Sequence, residues 1–172
     1  ISWEIDAFRF ELPLMASAMD GVVSPATAME IGRLGGVGVL NLEGLWTRYE
    51  DPEPLFEEIA ELDTGKATLR MQEIYAEPVK PELITARIRQ IKESGVTASA
   101  SVTPQRTEQF TKAILEAELD LLVIQGTVVS AEHVSKTVEP LNLKRFVREL
   151  PIPVIVGGCA SYQAALHLMR TG

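Results

Sequence analysis

Glycine, hydroxyl and amide residues recur directly after the apolar runs of this sequence. Ser17–Gly21 follows the first run, Asn41–Gly44 the second, Gln125–Thr127 a later one and Gly157–Ser161 the last. Glycine lets a ligand approach the backbone closely, and amide, hydroxyl and backbone N–H groups donate hydrogen bonds to phosphate or to the edge of a base. The spacing of these residues alone is weak evidence for a binding site, since glycine also follows strands because tight turns require it. The pattern favours a binding site for a small polar ligand.

The residues that could bind a metal or act as a nucleophile stand alone in the sequence. His133, His167 and Cys159 have no further cysteine or histidine at the spacing of metal ligands, so no metal site is predicted. Nothing near Cys159 in the sequence would lower the pKa of its thiol, and we expect a small buried residue rather than a nucleophile. No Gly-x-Gly-x-x-Gly motif follows a strand and there is no P-loop, so a dinucleotide would not be held as in a Rossmann fold.

Short apolar runs alternate with amphipathic stretches along the chain, and this alternation predicts parallel βαβ units. In such folds the carboxyl ends of the strands meet at one edge, where ligands bind, so the polar residues after each run should lie together. Five strands are predicted: Leu12–Ala16, Val37–Leu40, Val96–Val102, Leu119–Ile124 and Pro153–Val156.

Capping residues and apolar spacing predict the helices between these strands. Ser24-Pro25 is a start signal, because serine caps helix N-termini and proline is tolerated at the first helical position, and Gly35-Gly36 is an end signal. Thr103-Pro104 repeats the start signal for a helix that runs to about Glu118. The i, i+4, i+7 spacing of apolar residues and further caps predict helices at Leu55, Ile59 and Leu62, at Pro81–Ser94 with Ile84, Ile88 and Ile91, at Asn142–Leu150, and after Ser161.

Composition limits the classes of function. The 172 residues are 46% hydrophobic and 23% charged, which is typical of a globular domain. A net charge of −8 argues against broad binding to nucleic acid or to anionic membranes, both of which need clustered cations. No apolar run approaches the roughly 20 residues of a membrane span, and Ile1–Asp6 carries acids where a signal peptide would carry cations. With a single cysteine there is no intrachain disulfide, and we expect a cytoplasmic location.

Four segments resemble a known family. LPLMASAMD at 12–20 and GGVGVL at 35–40 resemble the opening of IMP dehydrogenases and GMP reductases. IQGTVVSAEH at 124–133 and VIVGGCAS at 154–161 are similar to the bacterial IMP dehydrogenase-related subfamily that lacks the regulatory CBS domains. The similarity runs through nearly all 172 residues. It implies an α/β fold, the (β/α)8 TIM barrel, of which residues 1–172 would form a single partial domain of about five βα units without a CBS insertion.

The same resemblance implies an activity and a set of site residues. Members of the family are usually tetramers that bind a purine mononucleotide and pass hydride to or from NAD or NADP, using a cysteine in a loop after the sixth strand. That loop would lie beyond Gly172, so no catalytic residue is named. The resemblance assigns nucleotide contacts to Ser17, Met19, Gly157 and Gly158, and cofactor contacts to Asn41, Gln125, Gly126 and Thr127.

Departures from the family pattern leave the reaction open. Gln125 stands where IMP dehydrogenases place an aspartate that contacts the cofactor, Cys159 stands where they carry an asparagine, and Asn41-Leu42-Glu43 replaces His-x-Asn. Oxidation of IMP to XMP in guanine nucleotide biosynthesis is the first hypothesis, and the reverse-sense GMP reductase is the second. A flavin-dependent nitronate monooxygenase barrel and a non-catalytic nucleotide-binding paralogue are the alternatives from other classes.

The ends of the chain suggest a piece of a longer protein, since it begins at Ile1 rather than at a methionine and stops at Gly172 after a helix-like stretch. Five βα units cannot close an eight-stranded barrel. We therefore expect the 172 residues alone to leave sheet edges unpaired, to expose the apolar strands 119–124 and 153–156, and to associate or aggregate.

Overall fold

Five parallel strands lie side by side in chain order in the computed structural model, which describes residues 1–126 and 141–170. An unbroken order of parallel strands is what consecutive units of a (β/α)8 barrel produce, so the predicted fold class is confirmed. As expected, each of the two outer strands of this sheet has a neighbouring strand on one side only. The strands are β3 (Met15–Ala16), β4 (Val37–Asn41), β5 (Ser99–Val102), β6 (Leu121–Gln125) and β7 (Val154–Gly157); β1 and β2 form a separate hairpin.

The described ranges contain seven helices, six between strands and one after β7, together with a 3₁₀ turn at Leu45–Thr47. Most follow the predicted positions within a few residues, because caps and apolar spacing are local signals. The helices are α1 (Pro25–Arg33), α2 (Glu53–Glu61), α3 (Thr64–Ile74), α4 (Pro81–Glu93), α5 (Thr107–Glu116), α6 (Leu143–Glu149) and α7 (Tyr162–Met169).

The start of α1 shows why the capping signal predicts well. The hydroxyl of Ser24 accepts a hydrogen bond from the backbone N–H of Thr27 at 3.0 Å, and the Thr27 hydroxyl accepts one from the N–H of Ser24 at 2.7 Å. This reciprocal pair is a capping box, which satisfies two N–H groups that a helix start otherwise leaves unpaired. Gly35 ends the helix with a φ of 90°, a conformation that glycine adopts without steric cost.

The predicted start of α5 is wrong by several residues. The hydroxyl and the backbone N–H of Thr103 both donate to Oε1 of Glu43, at 2.8 and 3.1 Å, so the threonine binds a side chain of another loop instead of capping the helix. The chain then makes a turn, and α5 begins at Thr107. A contact across 60 residues of sequence overrides the local signal.

The helical stretch predicted at Leu55, Ile59 and Leu62 is two helices. Leu62 has an extended backbone with a ψ of 149°, and the carboxylate of Asp63 accepts from the N–H of Lys66 at 3.1 Å to start α3. Together α2 and α3 form a helical hairpin inserted between β4 and α4, which we call the inserted hairpin. Arg70 on α3 closes it by binding Glu58 on α2, with Nε to Oε1 at 2.7 Å, and this arginine holds the pKa of Glu58 below its ordinary value.

The N-terminal hairpin was not predicted from the sequence. Strands β1 (Trp3–Ile5) and β2 (Phe8–Phe10) pair antiparallel, and their aromatic rings Trp3 and Phe10 stack with centroids 4.7 Å apart. The hairpin packs on Val37 and Leu121, the first residues of β4 and β6. It therefore covers the amino-terminal end of the sheet, opposite the end where ligands bind in such folds.

The expected exposure of residues 119–124 is wrong. Leu121, Leu122 and Ile124 are each exposed by 1% or less. Strand β6 is buried because β5 and β7 flank it, the N-terminal hairpin covers Leu121, and helices cover its other face. Strand β7 is half-buried, in closer agreement with the expectation. No helix in the described ranges is long and apolar enough to cross a membrane.

Candidate functional site

A pocket of about 310 Å³ opens at the carboxyl ends of β4, β5 and β6. This is the edge of the sheet at which the sequence placed its polar loops. Among the residues that the structure describes, no ionisable side chain contributes to the pocket wall, which is uncharged and partly polar there. The residues of the wall are Ala18, Asn41, Ser101, Val102, Thr103, Gln125 and Gly126.

Strand register explains why these residues meet. Leu40, Ala100 and Leu122 belong to the core beneath the helices. Because successive side chains of a strand point to opposite faces, Asn41 and Ser101 face the other side, toward the interior of the sheet's curve. These two residues are partners in the β4–β5 ladder.

Asn41 presents donors to the pocket. Its Oδ1 accepts the backbone N–H of Glu43 at 3.0 Å, which fixes the orientation of the amide. The amide nitrogen has no hydrogen-bond partner among residues 1–126 and 141–170, so its two N–H groups are available to a ligand.

Strands β5 and β6 supply the other polar groups. Gln125 is exposed at the end of β6, and its amide offers both a donor and an acceptor. The hydroxyl of Thr103 is committed to Glu43, so it can only accept from a ligand. The backbone of Gly126 is bonded to β7, with its N–H donating to the carbonyl of Gly157 at 3.0 Å. The wall can therefore both donate to and accept from an uncharged polar ligand.

Three of the four residues expected to bind cofactor lie in this wall: Asn41, Gln125 and Gly126. The fourth, Thr127, lies outside the described residues, as does His133. A Cβ at Gly126 would meet only the ring of Pro104, at 3.6 Å, so no neighbour in the described ranges requires a glycine there.

The four residues expected to contact nucleotide lie beside the pocket rather than in its wall. Ser17 and Met19 are exposed in the loop after β3, and Ala18 between them reaches the wall. Gly157 is the ladder partner of Gln125, and Gly158 follows it on the surface. A Cβ on either glycine would meet nothing within 4 Å, so the space beside them is open.

Cys159 is exposed, and the expectation that it is buried is wrong. It lies beyond the carboxyl end of β7, which is an edge strand of this sheet, so no neighbouring strand in the described ranges covers it on that side. Within the same ranges, no group of three or more histidine, cysteine, aspartate or glutamate residues could hold a metal ion.

Sequence reasoning missed Ser101 and Thr103 as pocket residues. Strand β5 alternates serine with alanine and valine, and this alternation of small polar with apolar residues was the available signal. It also places Ser99 on the interior face, where its hydroxyl is buried without a partner among the described residues.

Comparisons with known proteins agree on one family. The model of the IMP dehydrogenase / GMP reductase domain matches residues 3–172. An uncharacterised oxidoreductase of Mycolicibacterium smegmatis is 46% identical over 176 residues, which cover 99% of this chain and 47% of the relative. An uncharacterised oxidoreductase of Mycobacterium leprae is 45% identical with the same coverage. The chain thus spans about half the length of the curated relatives it matches.

A solved structure gives the same result. The crystal structure of an IMP dehydrogenase/GMP reductase-like protein from Corynebacterium glutamicum superposes with a TM-score of 0.91 at 42% identity. The match covers 99% of this chain and 46% of that one.

Proposed function

This chain belongs to the IMP dehydrogenase / GMP reductase family, and we propose on that premise that the protein oxidises IMP to XMP with a nicotinamide cofactor. The overall reaction is IMP, water and oxidised cofactor giving XMP, reduced cofactor and a proton. The names of the curated relatives support the coarser part, an oxidoreductase. The single observation that supports IMP and a nicotinamide cofactor as the substrates is the uncharged, partly polar pocket beside the loop after β3.

The donor set of the pocket suits the uncharged half of a nicotinamide cofactor. The amide N–H groups of Asn41 and the amide of Gln125 match the donors and acceptors of a carboxamide and of ribose hydroxyls. No cation among residues 1–126 and 141–170 lines the pocket, and in this proposal the pyrophosphate of the cofactor lies outside that part of the wall. In this proposal the cofactor supplies the hydride acceptor, and Asn41, Ser101 and Gln125 hold and orient its ring.

The purine nucleotide would lie along the neighbouring loops. Ser17 offers a hydroxyl, and the open backbone at Gly157 and Gly158 lets a phosphate or sugar approach without meeting a side chain. Ala18 belongs to both the loop and the pocket wall, so a ligand on the loop borders a ligand in the pocket. Hydride transfer requires such contact between purine and cofactor.

The proposal does not use Cys159 as the nucleophile. Its thiol lies on the surface outside the pocket wall, and the family resemblance assigns the reacting cysteine to a different loop. The proposed assembly is a homo-tetramer, as the resemblance implies, and the proposed location is the cytoplasm.

The test is the purified full-length gene product, assayed by the absorbance of reduced nicotinamide. We expect turnover of IMP with NAD or NADP. Turnover of GMP with NADPH and none of IMP would instead identify a GMP reductase. The residues Gln125 and Cys159, which differ from the IMP dehydrogenase pattern, are compatible with that alternative. IMP binding in calorimetry without turnover would identify a non-catalytic relative. Bound flavin and oxidation of nitronates would contradict the whole proposal.

A further inference from the structure

We propose that Asp20 is a positioning residue, which with Tyr75 holds the loop of residues 17–21 in place to receive the purine nucleotide. The inserted hairpin has the role of supplying Tyr75. This inference rests on the proposed function for the identity of the ligand. The positioning of the loop itself can be measured without any ligand.

The loop of residues 17–21 has few other anchors. Strand β3, which leads into it, makes only two ladder pairs with β4. Ser17, Met19 and Gly21 are exposed, and the hydrogen bonds of the loop backbone are made to its own residues or to the two that follow it. Within the described residues, Asp20 is the only side chain of the loop that bonds to another element.

The carboxylate of Asp20 reaches two elements at once. Its Oδ2 accepts the backbone N–H of Leu45 at 2.9 Å and the hydroxyl of Tyr75 at the end of α3. These partners are 25 and 55 residues away in the sequence. The carboxylate therefore ties the loop after β3 both to the loop after β4 and to the inserted hairpin.

The other carboxylate oxygen shows how closely this position is fixed. Oδ1 of Asp20 is buried and has no hydrogen-bond partner among the described residues. It lies against Gly44, where an added Cβ would be only 1.8 Å away. Because Gly44 has no side chain, the carboxylate packs directly against its backbone, and this close packing limits where Asp20 can lie.

The elements that receive Asp20 are themselves well anchored. The hydroxyl of Thr47, which is fully buried, donates to the carbonyl of Leu42 at 2.8 Å. The guanidinium of Arg48 donates to the carbonyl of Glu43 from Nε at 3.1 Å and from Nη2 at 2.9 Å, and to that of Glu77 from Nη1. The loop after β4 is thus held in place by hydrogen bonds that do not involve Asp20.

Tyr75 is held from two sides. Arg48 stacks over its ring at 5.5 Å from the centroid. Burial is the larger cause and the hydrogen bond to Asp20 the smaller one that together raise the pKa of Tyr75 above its ordinary value. The phenol therefore stays protonated and donates through the neutral range, and its contribution to stability is complete below the ordinary pKa of tyrosine and is lost as the pH rises above it.

A matched control is Tyr49, which precedes the inserted hairpin and binds the same end of α3. The hydroxyl of Tyr49 donates to the carbonyl of Ile74 at 2.9 Å, so it also fastens the end of α3, whereas the described hydrogen bonds of Asp20 are made to Leu45 and Tyr75. Removing either hydroxyl with Tyr75→Phe or Tyr49→Phe weakens the attachment of the hairpin. Only the first change releases the loop of residues 17–21.

The experiment uses the full-length protein with Asp20→Ala, Asp20→Asn, Tyr75→Phe and Tyr49→Phe. Amide hydrogen exchange of residues 17–23 should become faster in the Asp20→Ala and Tyr75→Phe variants, stay unchanged in Tyr49→Phe, and be partly restored in Asp20→Asn, which keeps one acceptor. The KM for IMP should rise about tenfold in Asp20→Ala, equivalent to about 1.4 kcal/mol, and the KM for the nicotinamide cofactor should rise by a smaller factor, because Ala18 alone of the loop lines the pocket among the described residues.

Two results would overturn the inference. One is unchanged exchange of residues 17–23 in Asp20→Ala, which can be read even if the protein does not bind IMP. The other is an equal rise of the KM for IMP in Tyr49→Phe and Tyr75→Phe, which would mean that general loosening of the hairpin is the cause. Failure of the unmodified protein to bind IMP, with faster exchange in the Asp20→Ala variant, would refute the proposed function and leave the positioning role supported.

Discussion

The substitution Gly44→Ala tests how tightly the Asp20 carboxylate is packed, without straining the backbone at residue 44. Gly44 has a φ of −90° and a ψ of −166°, which alanine adopts without strain. A Cβ at this position would lie 1.8 Å from Oδ1 of Asp20 and 2.5 Å from both Cγ and Oδ2. Non-bonded atoms do not approach so closely, so the carboxylate must leave its place.

The magnitude follows from the bonds that are broken. The displaced carboxylate loses the N–H of Leu45 and the hydroxyl of Tyr75. Hydrogen bonds to a charged group contribute about 1.5–3 kcal/mol each. Part of this loss is returned when the carboxylate and its former partners meet water, so we expect the free energy of unfolding to fall by about 2–4 kcal/mol.

Denaturant unfolding of the full-length protein measures this change. Gly21→Ala is the control in the adjacent loop, because a Cβ there meets no atom within 4 Å, and it should change the stability by less than about 0.5 kcal/mol. In a double-mutant cycle, Gly44→Ala should cost much less in an Asp20→Ala background. Equal costs in the two backgrounds, or a Gly44→Ala protein as stable as the unmodified one, would refute the reasoning.

Four further outcomes are expected. Asp120→Ala should lower the free energy of unfolding by about 2–3 kcal/mol, because the carboxylate binds Lys92 on α4 at 2.7 Å and the backbone N–H of Ala98 at 2.9 Å. The control Lys112→Ala, which removes an exposed ion pair, should lower it by less than about 0.5 kcal/mol in the same unfolding experiment. Ser17→Phe should weaken IMP binding by roughly 1–3 kcal/mol in calorimetry, and unchanged affinity would remove that residue from the site. Cys159→Ser should keep measurable turnover, and a purine adduct mapped to Cys159 by mass spectrometry would contradict this. Residues 1–172 expressed alone should associate in size-exclusion chromatography through the apolar side chains exposed on β3 and α7 rather than through β6, and a sharp monomer peak with a cooperative melt would speak against it.

Local signals in the sequence predicted most of the elements. The Ser24 cap, the end at Gly35 and the apolar stripe of α4 each act over a few residues, so the sequence pattern and the structure agree on them. The alternation of strands and helices then limits the fold to consecutive βα units, because parallel strands require a crossover between them. The family resemblance was also carried by short segments of the sequence.

Parts of the candidate site were predictable for the same reason. Asn41, Gln125 and Gly126 follow predicted strands, and the carboxyl ends of parallel strands meet at one edge. Nothing local indicated that Thr103 would bind Glu43 rather than cap a helix. The burial of β6 also depended on the N-terminal hairpin, whose residues lie more than 110 positions earlier in the chain.

The sequence by itself therefore determined the fold class, the family and the edge of the sheet at which the candidate site lies. Only the tertiary structure decided which side chains share the pocket and which ones brace its loops. Asp20 meets Tyr75 across 55 residues, and Thr103 meets Glu43 across 60. Such partners are brought together by strand register and by the crossovers between strands, and neither is written in the residues that surround them in the chain.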